Sequence, residues 1–433
     1  MRNQTIGKIS FFEHLMQSRF LKSVAILASG TALAQAIPIL ASPVLTRLYT
    51  PENFGVLALF MAIVSSISPA VCGKYEVAMV LPRSNRQGME LLGITLWIAF
   101  GLSLLFLFVV IFFSKFLLSL LNAQNLSTWI YLTPIFLLLT GAMTAMTYFA
   151  NRQQDYGNMA RSKLVRAFVV ALVSIGLGIL GFGSSGLIFG VISGLILAVG
   201  YLFFLYREQL TQGFLRWNQD KSNLLKQYKD YPIYNASSGL LNGITMAMPV
   251  FFLTHYFNES IVGYFALVVR VADAPLSFIS PSVSQVNLKT VVDLVNNGQS
   301  DSVCSYLLKL VVSLLAVIFL PALVLGIYAP DIFIFLFGNE WSPAGVYMQI
   351  LIPAFVVRFL VVSISSTFGA LSKNTFAFAK RVFSFVLGVV IYFFIGRSIA
   401  DPVYFMIMIS LHIIITELVG VALILTAAKS VKV

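Results

Sequence analysis

Apolar stretches of about twenty residues recur along the whole chain, separated by short polar gaps. A helix needs ~20 apolar residues to cross the hydrocarbon core of a bilayer, so each stretch reads as a spanning helix. Twelve are expected, at about 24–46, 54–79, 89–113, 127–150, 164–183, 187–206, 233–256, 261–286, 304–327, 344–370, 377–396 and 402–427. The pattern predicts an all-α polytopic membrane protein. The gaps on one side are too short to fold as a domain, the longest being 113–127 and 328–343. The second holds an apolar piece, Asp331 to Gly338, expected to lie along the membrane interface with Trp341 at headgroup depth.

Charge sorts the gaps into two sets. The N-terminus and every second gap hold Arg2, Lys8, Arg19, Lys22, Arg83, Arg86, Arg152, Arg161, Lys163, Arg166, Arg207, Arg216, Lys221, Lys226, Lys229, Lys289, Lys373, Lys380, Arg381, Lys429 and Lys432. The opposite gaps hold Arg47, Lys115 and Arg397, a ratio of 21 to 3. Basic gaps face the cytoplasm, so both termini are expected there, in an inner or plasma membrane. The first apolar stretch leads directly into a second one and reads as a span, not a cleaved leader.

An internal repeat divides the spans. Thr46, Gly55, Ala58 and Leu59 stand at the junction of spans 1 and 2, and Thr254, Gly263, Ala266 and Leu267 stand at the junction of spans 7 and 8. Equivalent spans run the same way, which predicts two parallel six-helix bundles, 1–206 and 233–433, joined by a basic linker, 207–232.

The charges inside spans then attract attention, because each costs at least ~2.5 kcal/mol at mid-bilayer unless it faces protein or water. Arg270 falls about 14 Å into span 8, with Asp273 one turn on as an i, i+3 partner and Pro275 poised to break the helix. Either the pair is structural or Arg270 is a cation lining a hydrated cavity. Arg358 in span 10 is as deep, has no acid in its own span, and needs a partner from another helix, a ligand or water. Lys74 and Glu76 close span 2, where snorkelling explains Lys74 and a substrate contact is the alternative. Glu417 is an isolated carboxyl in span 12, either protonated and hydrogen-bonded or the carrier of a coupling ion, a role Asp273 shares. Arg47 and His255 hold matching repeat positions at the outer boundary.

Composition removes several classes of function. Net charge is +12, yet the cations are dispersed among gaps, which excludes a nucleic-acid surface. Cys72 and Cys304 both fall toward the cytoplasmic side, against a disulfide. No phosphate loop, HExxH or CxxC occurs, and the three histidines, 14, 255 and 412, are scattered, so neither a metal nor a cofactor is expected.

Leu27 to Gln35, then Leu45 to Gly55, resemble the opening of bacterial polysaccharide (O-antigen, Wzx-type) flippases of the multidrug/oligosaccharidyl-lipid/polysaccharide exporter superfamily. Gly73 to Pro82 and Leu336 to Gly345 are similar to further segments of that family. The resemblance covers nearly the full chain. It implies two bundles in a V around a central cavity, exporting an undecaprenyl-diphosphate-linked oligosaccharide for lipopolysaccharide or similar surface-polysaccharide biosynthesis. Downstream partners would be a polymerase and chain-length machinery. Tyr264 to Leu276 further resembles the eighth span of lipid II flippases, which implies that Arg270 holds the diphosphate. A first-span arginine of those flippases has no counterpart here, where Ala34 and Gln35 stand; Arg358 or Lys74 would then contribute. The implied substrate-binding set is Arg270, Arg358, Asp273, Lys74, Gln35 and Arg47. A cation-coupled small-molecule exporter of the same fold is the alternative, and a polysaccharide polymerase or ligase a more distant one.

Overall fold

The computed structural model describes residues 19–214, 219–299 and 301–430. Among the described residues every regular element is a helix. The long ones are α1 (Arg19–Leu48), α2 (Pro51–Ile67), α3 (Asn85–Leu121), α4 (Thr133–Arg152), α5 (Tyr156–Ile179) and α6 (Ser184–Leu205). After the linker come α7 (Ser237–Tyr256), α8 (Glu259–Phe278), α9 (Ser302–Phe337), α10 (Ser342–Ile364), α11 (Asn374–Val389) and α12 (Pro402–Ser430). Among the described residues eleven stretches are long and apolar enough to cross a membrane. The expected eighth span corresponds to α8, whose 20 residues give it the length to cross. Arg2, Lys8, Arg216, Lys432 and His14 lie outside the described residues.

The two halves pack by the same plan. In the first, α1 lies on α5, α5 on α6, α3 on α4 and α4 on α6; in the second, α7 lies on α11, α11 on α12, α9 on α10 and α10 on α12. The outer surfaces are apolar: Phe112 on α3 and Phe335 on α9 are 75% and 80% exposed. Helices satisfy their own backbone groups, so such surfaces are stable only in lipid.

The halves meet where α2 crosses α8. A Cβ added to Gly55 would fall 1.9 Å from the Glu259 carbonyl oxygen, and one added to Gly263 would fall 1.8 Å from that of Pro51. Only glycine allows this approach, and both are the glycines of the internal repeat. Around the crossing, Asn125 Nδ2 donates to Glu259 Oε1 (3.0 Å), and His255 Nδ1 lies 2.8 Å from the Leu120 carbonyl oxygen. Trp341 Nε1 donates to the Thr46 carbonyl (3.0 Å).

Several boundaries differ from the sequence expectation. Span 2 closes earlier: α2 ends at Ile67, a short 3-10 turn covers Ser68–Ala70, and Lys74 sits beyond it with φ +61°. The piece 331–338 is not a separate segment; through Phe337 it is the last part of α9, which continues past Pro321 and Pro330. Trp341 is fully buried, with Phe54 and Tyr264 edge-on to its ring. Around Pro275 the backbone stays helical, and the break falls at Ile279, before a further helix, Ser280–Asn296.

Candidate functional site

Two polar cavities flank α8. The first, of about 600 Å³, is enclosed by α1, α4, α5 and α6, with Arg270 of α8 reaching in. Lys163, Arg166 and Arg270 line it together, and none of its described lining residues is acidic. Asp155 sets the start of α5 by accepting the Asn158 backbone N–H, an N-cap that satisfies an otherwise orphaned donor. Lys163 and Arg166 therefore stand two and three turns inside the helix, on one face by their i, i+3 spacing. Lys163 Nζ donates to Thr31 Oγ1 (3.1 Å). Arg166 makes no side-chain hydrogen bond or ion pair among the described residues. Gln35 adds a buried Oε1 with no partner.

Arg270 is held from the α1 side, where Nη1 donates to Ser42 Oγ (3.4 Å). Its guanidinium carbon lies 5.6 Å from the centre of the Phe54 ring, and that ring packs 5.0 Å from Trp341. Arg270 is thus stacked on the residue beside Gly55, which links the cavity to the helix crossing.

The second cavity opens among α7, α8, α10, α11 and α12. Two connected parts, of about 350 and 370 Å³, share Thr245, Arg358, Ser384, Thr416 and Glu417 in their walls. Asp273 faces this side and pairs with Arg358 (Nη1 to Oδ1, 3.4 Å). This corrects the expected pairing of Asp273 with Arg270. It also gives Arg358 the partner from another helix that its depth demands. Glu417 is not isolated: Lys380 Nζ lies 2.5 Å from its Oε2. Beside them His412 bridges two elements, with Nδ1 2.7 Å from the Tyr392 hydroxyl and Nε2 3.0 Å from the Ser384 carbonyl. The carbonyl can only accept, so Nε2 carries the proton and the Tyr392 hydroxyl donates to Nδ1.

Of the sequence-derived set, Gln35 and Arg270 share the first cavity and Arg358 and Asp273 share the second. Arg47, exposed at the end of α1, and Lys74, paired with Glu76 at 3.5 Å, line neither. Lys163, Arg166 and Lys380 carry charge in these cavities although the gap count had absorbed them as topological. Among the described residues no group of His, Cys, Asp and Glu could hold a metal, and both cysteines are free.

The fold is that of known membrane transporters. It is similar to a multidrug resistance MATE transporter of the MOP superfamily in its inward-facing conformation, with TM-score 0.70, 14% identity, and coverage of 92% of this chain and 96% of that one. It is equally similar to the lipid II flippase MurJ in an inward closed conformation, with TM-score 0.71, 13% identity, and coverage of 94% and 88%. An outward-facing MATE conformation fits less well, at TM-score 0.56, 12% identity, and coverage of 95% and 97%. No curated protein gives a significant match. A family model described as polysaccharide biosynthesis protein matches residues 44–346, more than half of the sequence, and the chain belongs to that family.

Proposed function

We infer that the chain is a flippase moving an undecaprenyl-diphosphate-linked oligosaccharide, an O-antigen or similar repeat unit, from the cytoplasmic to the periplasmic leaflet of the bacterial inner membrane. The observation that carries this reading is the first cavity, where Lys163, Arg166 and Arg270 converge without an acid among its described walls. A diphosphate cannot enter hydrocarbon unaided, and guanidinium groups match its oxygens in bidentate fashion. The polyprenyl tail stays in lipid while the headgroup passes. Family membership supports the polysaccharide substrate class.

The two bundles, 1–206 and 233–433, rock about the 207–232 linker in alternating access. With both termini cytoplasmic, the Gly55–Gly263 crossing seals the periplasmic side and the cavities open inward, in keeping with the better fit to an inward-facing relative. The delivered unit passes to a polymerase and chain-length machinery. Asp273 and Glu417 are the ion-coupling groups. Each already holds a tethered cation, Arg358 and Lys380, so a proton, which discharges the acid and frees the base, suits them better than a metal ion.

The MATE likeness favours a second reading, a cation-coupled small-molecule exporter. Three cations in the first cavity would repel a cationic drug, which ranks it below the flippase. The deciding experiment reconstitutes the chain in liposomes with a fluorescent undecaprenyl-diphosphate-linked sugar and follows its leaflet by chemical quenching. Translocation by the wild type, lost in Arg270→Ala and Arg166→Ala, is expected. A wild type that leaves this lipid in place but expels organic cations would overturn the reading.

A further inference from the structure

The second cavity differs in chemistry from the first. Four of its five charged groups are paired, Asp273 with Arg358 and Glu417 with Lys380, and the fifth, Arg381, donates to Ser238 Oγ (2.5 Å). An anion entering here meets two cations that already have acidic partners. Neutral polar groups stand between the pairs: Asn242 and Thr245 on α7, Ser384 on α11 and Thr416 on α12. The Thr245 hydroxyl donates to the Leu241 carbonyl and that of Thr416 to Ser384 Oγ, so the two threonines offer acceptor lone pairs. Asn242 is exposed to the cavity and its amide offers both a donor and an acceptor. Two aromatic rings, Phe265 on α8 and Phe355 on α10, line the other side with only their edges accessible.

Such a wall suits a ligand without net charge that is dense in hydroxyls along its rim and carries C–H groups on its flat faces. Planar amide, carboxylate and guanidinium groups can bridge neighbouring hydroxyls, while an aromatic edge lies against the apolar face. That ligand is a sugar ring. The position agrees. Arg270 and Asp273 are one turn apart on α8 and point into different cavities, so a diphosphate held at Arg270 brings its attached sugar to the Asp273–Arg358 pair.

We propose that the cavity among α7, α8, α10, α11 and α12 is the glycan subsite, which takes the sugars adjoining the diphosphate, and that Asn242, Thr245 and Thr416 select among them. The proposal rests on the lipid-linked substrate inferred above. It divides the substrate between the bundles, with the charged headgroup read by the first and the glycan by the second.

The test measures binding to the purified full-length chain in nanodiscs with two probes. One is undecaprenyl diphosphate; the other is the lipid-linked repeat unit extracted from the membranes of the organism that encodes the chain. Wild type should bind the glycan-bearing lipid about tenfold more tightly than the bare one, the worth of one or two added hydrogen bonds. Asn242→Ala and Thr416→Val should each remove most of that increment and bind the bare lipid as wild type does, which also reports that they are folded. Arg270→Ala should weaken both probes equally. Equal wild-type affinity for the two probes, or an increment surviving in both variants, overturns the glycan subsite while the lipid-linked reading stands. Failure of wild type to bind either probe overturns the lipid-linked reading itself.

Discussion

Asp273 lies 3.4 Å from Arg358, on a helix far away in sequence, and leaves Arg270, its neighbour one turn back, to face the other cavity. One short stretch of α8 therefore serves both sides. Neutralising either partner strands a charge in a partly hydrated wall. Asp273→Asn and Arg358→Ala should each slow translocation, and the exchange Asp273→Arg with Arg358→Asp should recover part of the loss. Because Asp273 keeps 40% of its side chain exposed, the coupling should be modest, about 1 kcal/mol in a double-mutant cycle. No recovery in the exchanged variant would argue that the pair has a directional role.

The cation cavity predicts a graded response. Arg270→Ala should weaken undecaprenyl diphosphate binding by roughly 10–100-fold, the range for a charged hydrogen bond. Arg270→Lys should recover only part, since a lysine keeps the charge and loses the bidentate fork. Isothermal titration at two salt concentrations checks both.

Lys380 and Glu417 form the better-buried pair, with 18% and 10% of their side chains exposed. Lys380→Met alone leaves a buried carboxylate and should destabilise the fold by about 3 kcal/mol or more, while Lys380→Met with Glu417→Gln should restore most of it. Thermal unfolding in detergent separates the two. If Glu417 carries the coupling proton, Glu417→Gln should also make translocation insensitive to a pH gradient.

Glu76, in the connection after α2, gives a pH prediction. Burial pushes its carboxyl above the ordinary range, and a hydrogen bond from its own backbone N–H, followed by Lys74, opposes that only in part. A raised carboxyl pKa means that the folded state binds the proton more tightly than the unfolded one. Stability from this group is therefore present in acid and lost as pH rises through the folded pKa. Glu76→Gln should melt higher than wild type at about pH 8 and converge with it below the unfolded carboxylate range of roughly pH 4.

Gly55→Ala and Gly263→Ala should behave alike, since each would press a methyl group onto the other repeat's backbone. Overpacking of this kind costs about 1–3 kcal/mol. Pulsed electron resonance between spin labels on the N-terminal ends of α2 and α8 should show both variants shifted to a longer distance. A shift in one variant alone would contradict the reciprocal contact.

The all-helical membrane fold and the two arginines inside spans were legible because hydropathy and position within a span are properties of a segment. Arg270 and Arg358 stood out for that reason. Partners were less visible: the sequence offers Asp273 to Arg270 at i, i+3, whereas the crossing of α8 with α10 decides for Arg358. Lys163 and Arg166 were hidden by their nearness to a basic gap. The Asp155 cap moves the start of α5 back by eight residues from the expected boundary and takes Lys163 into the helix beside Arg166. Asp155 followed by Asn158 and a Lys-x-x-Arg spacing was the available signal. The burial of Trp341 was not legible, because it depends on Thr46, Phe54 and Tyr264, all distant along the chain.

The paired glycines also speak to ancestry and to motion. Gly55 meets Glu259 and Gly263 meets Pro51, and each repeat partner is 208 residues along (263 − 55 and 259 − 51). The contact therefore has its own local dyad, the self-complementary form made by two copies of one subunit. A half-length, six-helix protein could have closed the same seal as a homodimer. For the present chain the consequence is mechanical: both contacts sit in one crossing, so neither half of the latch can release alone.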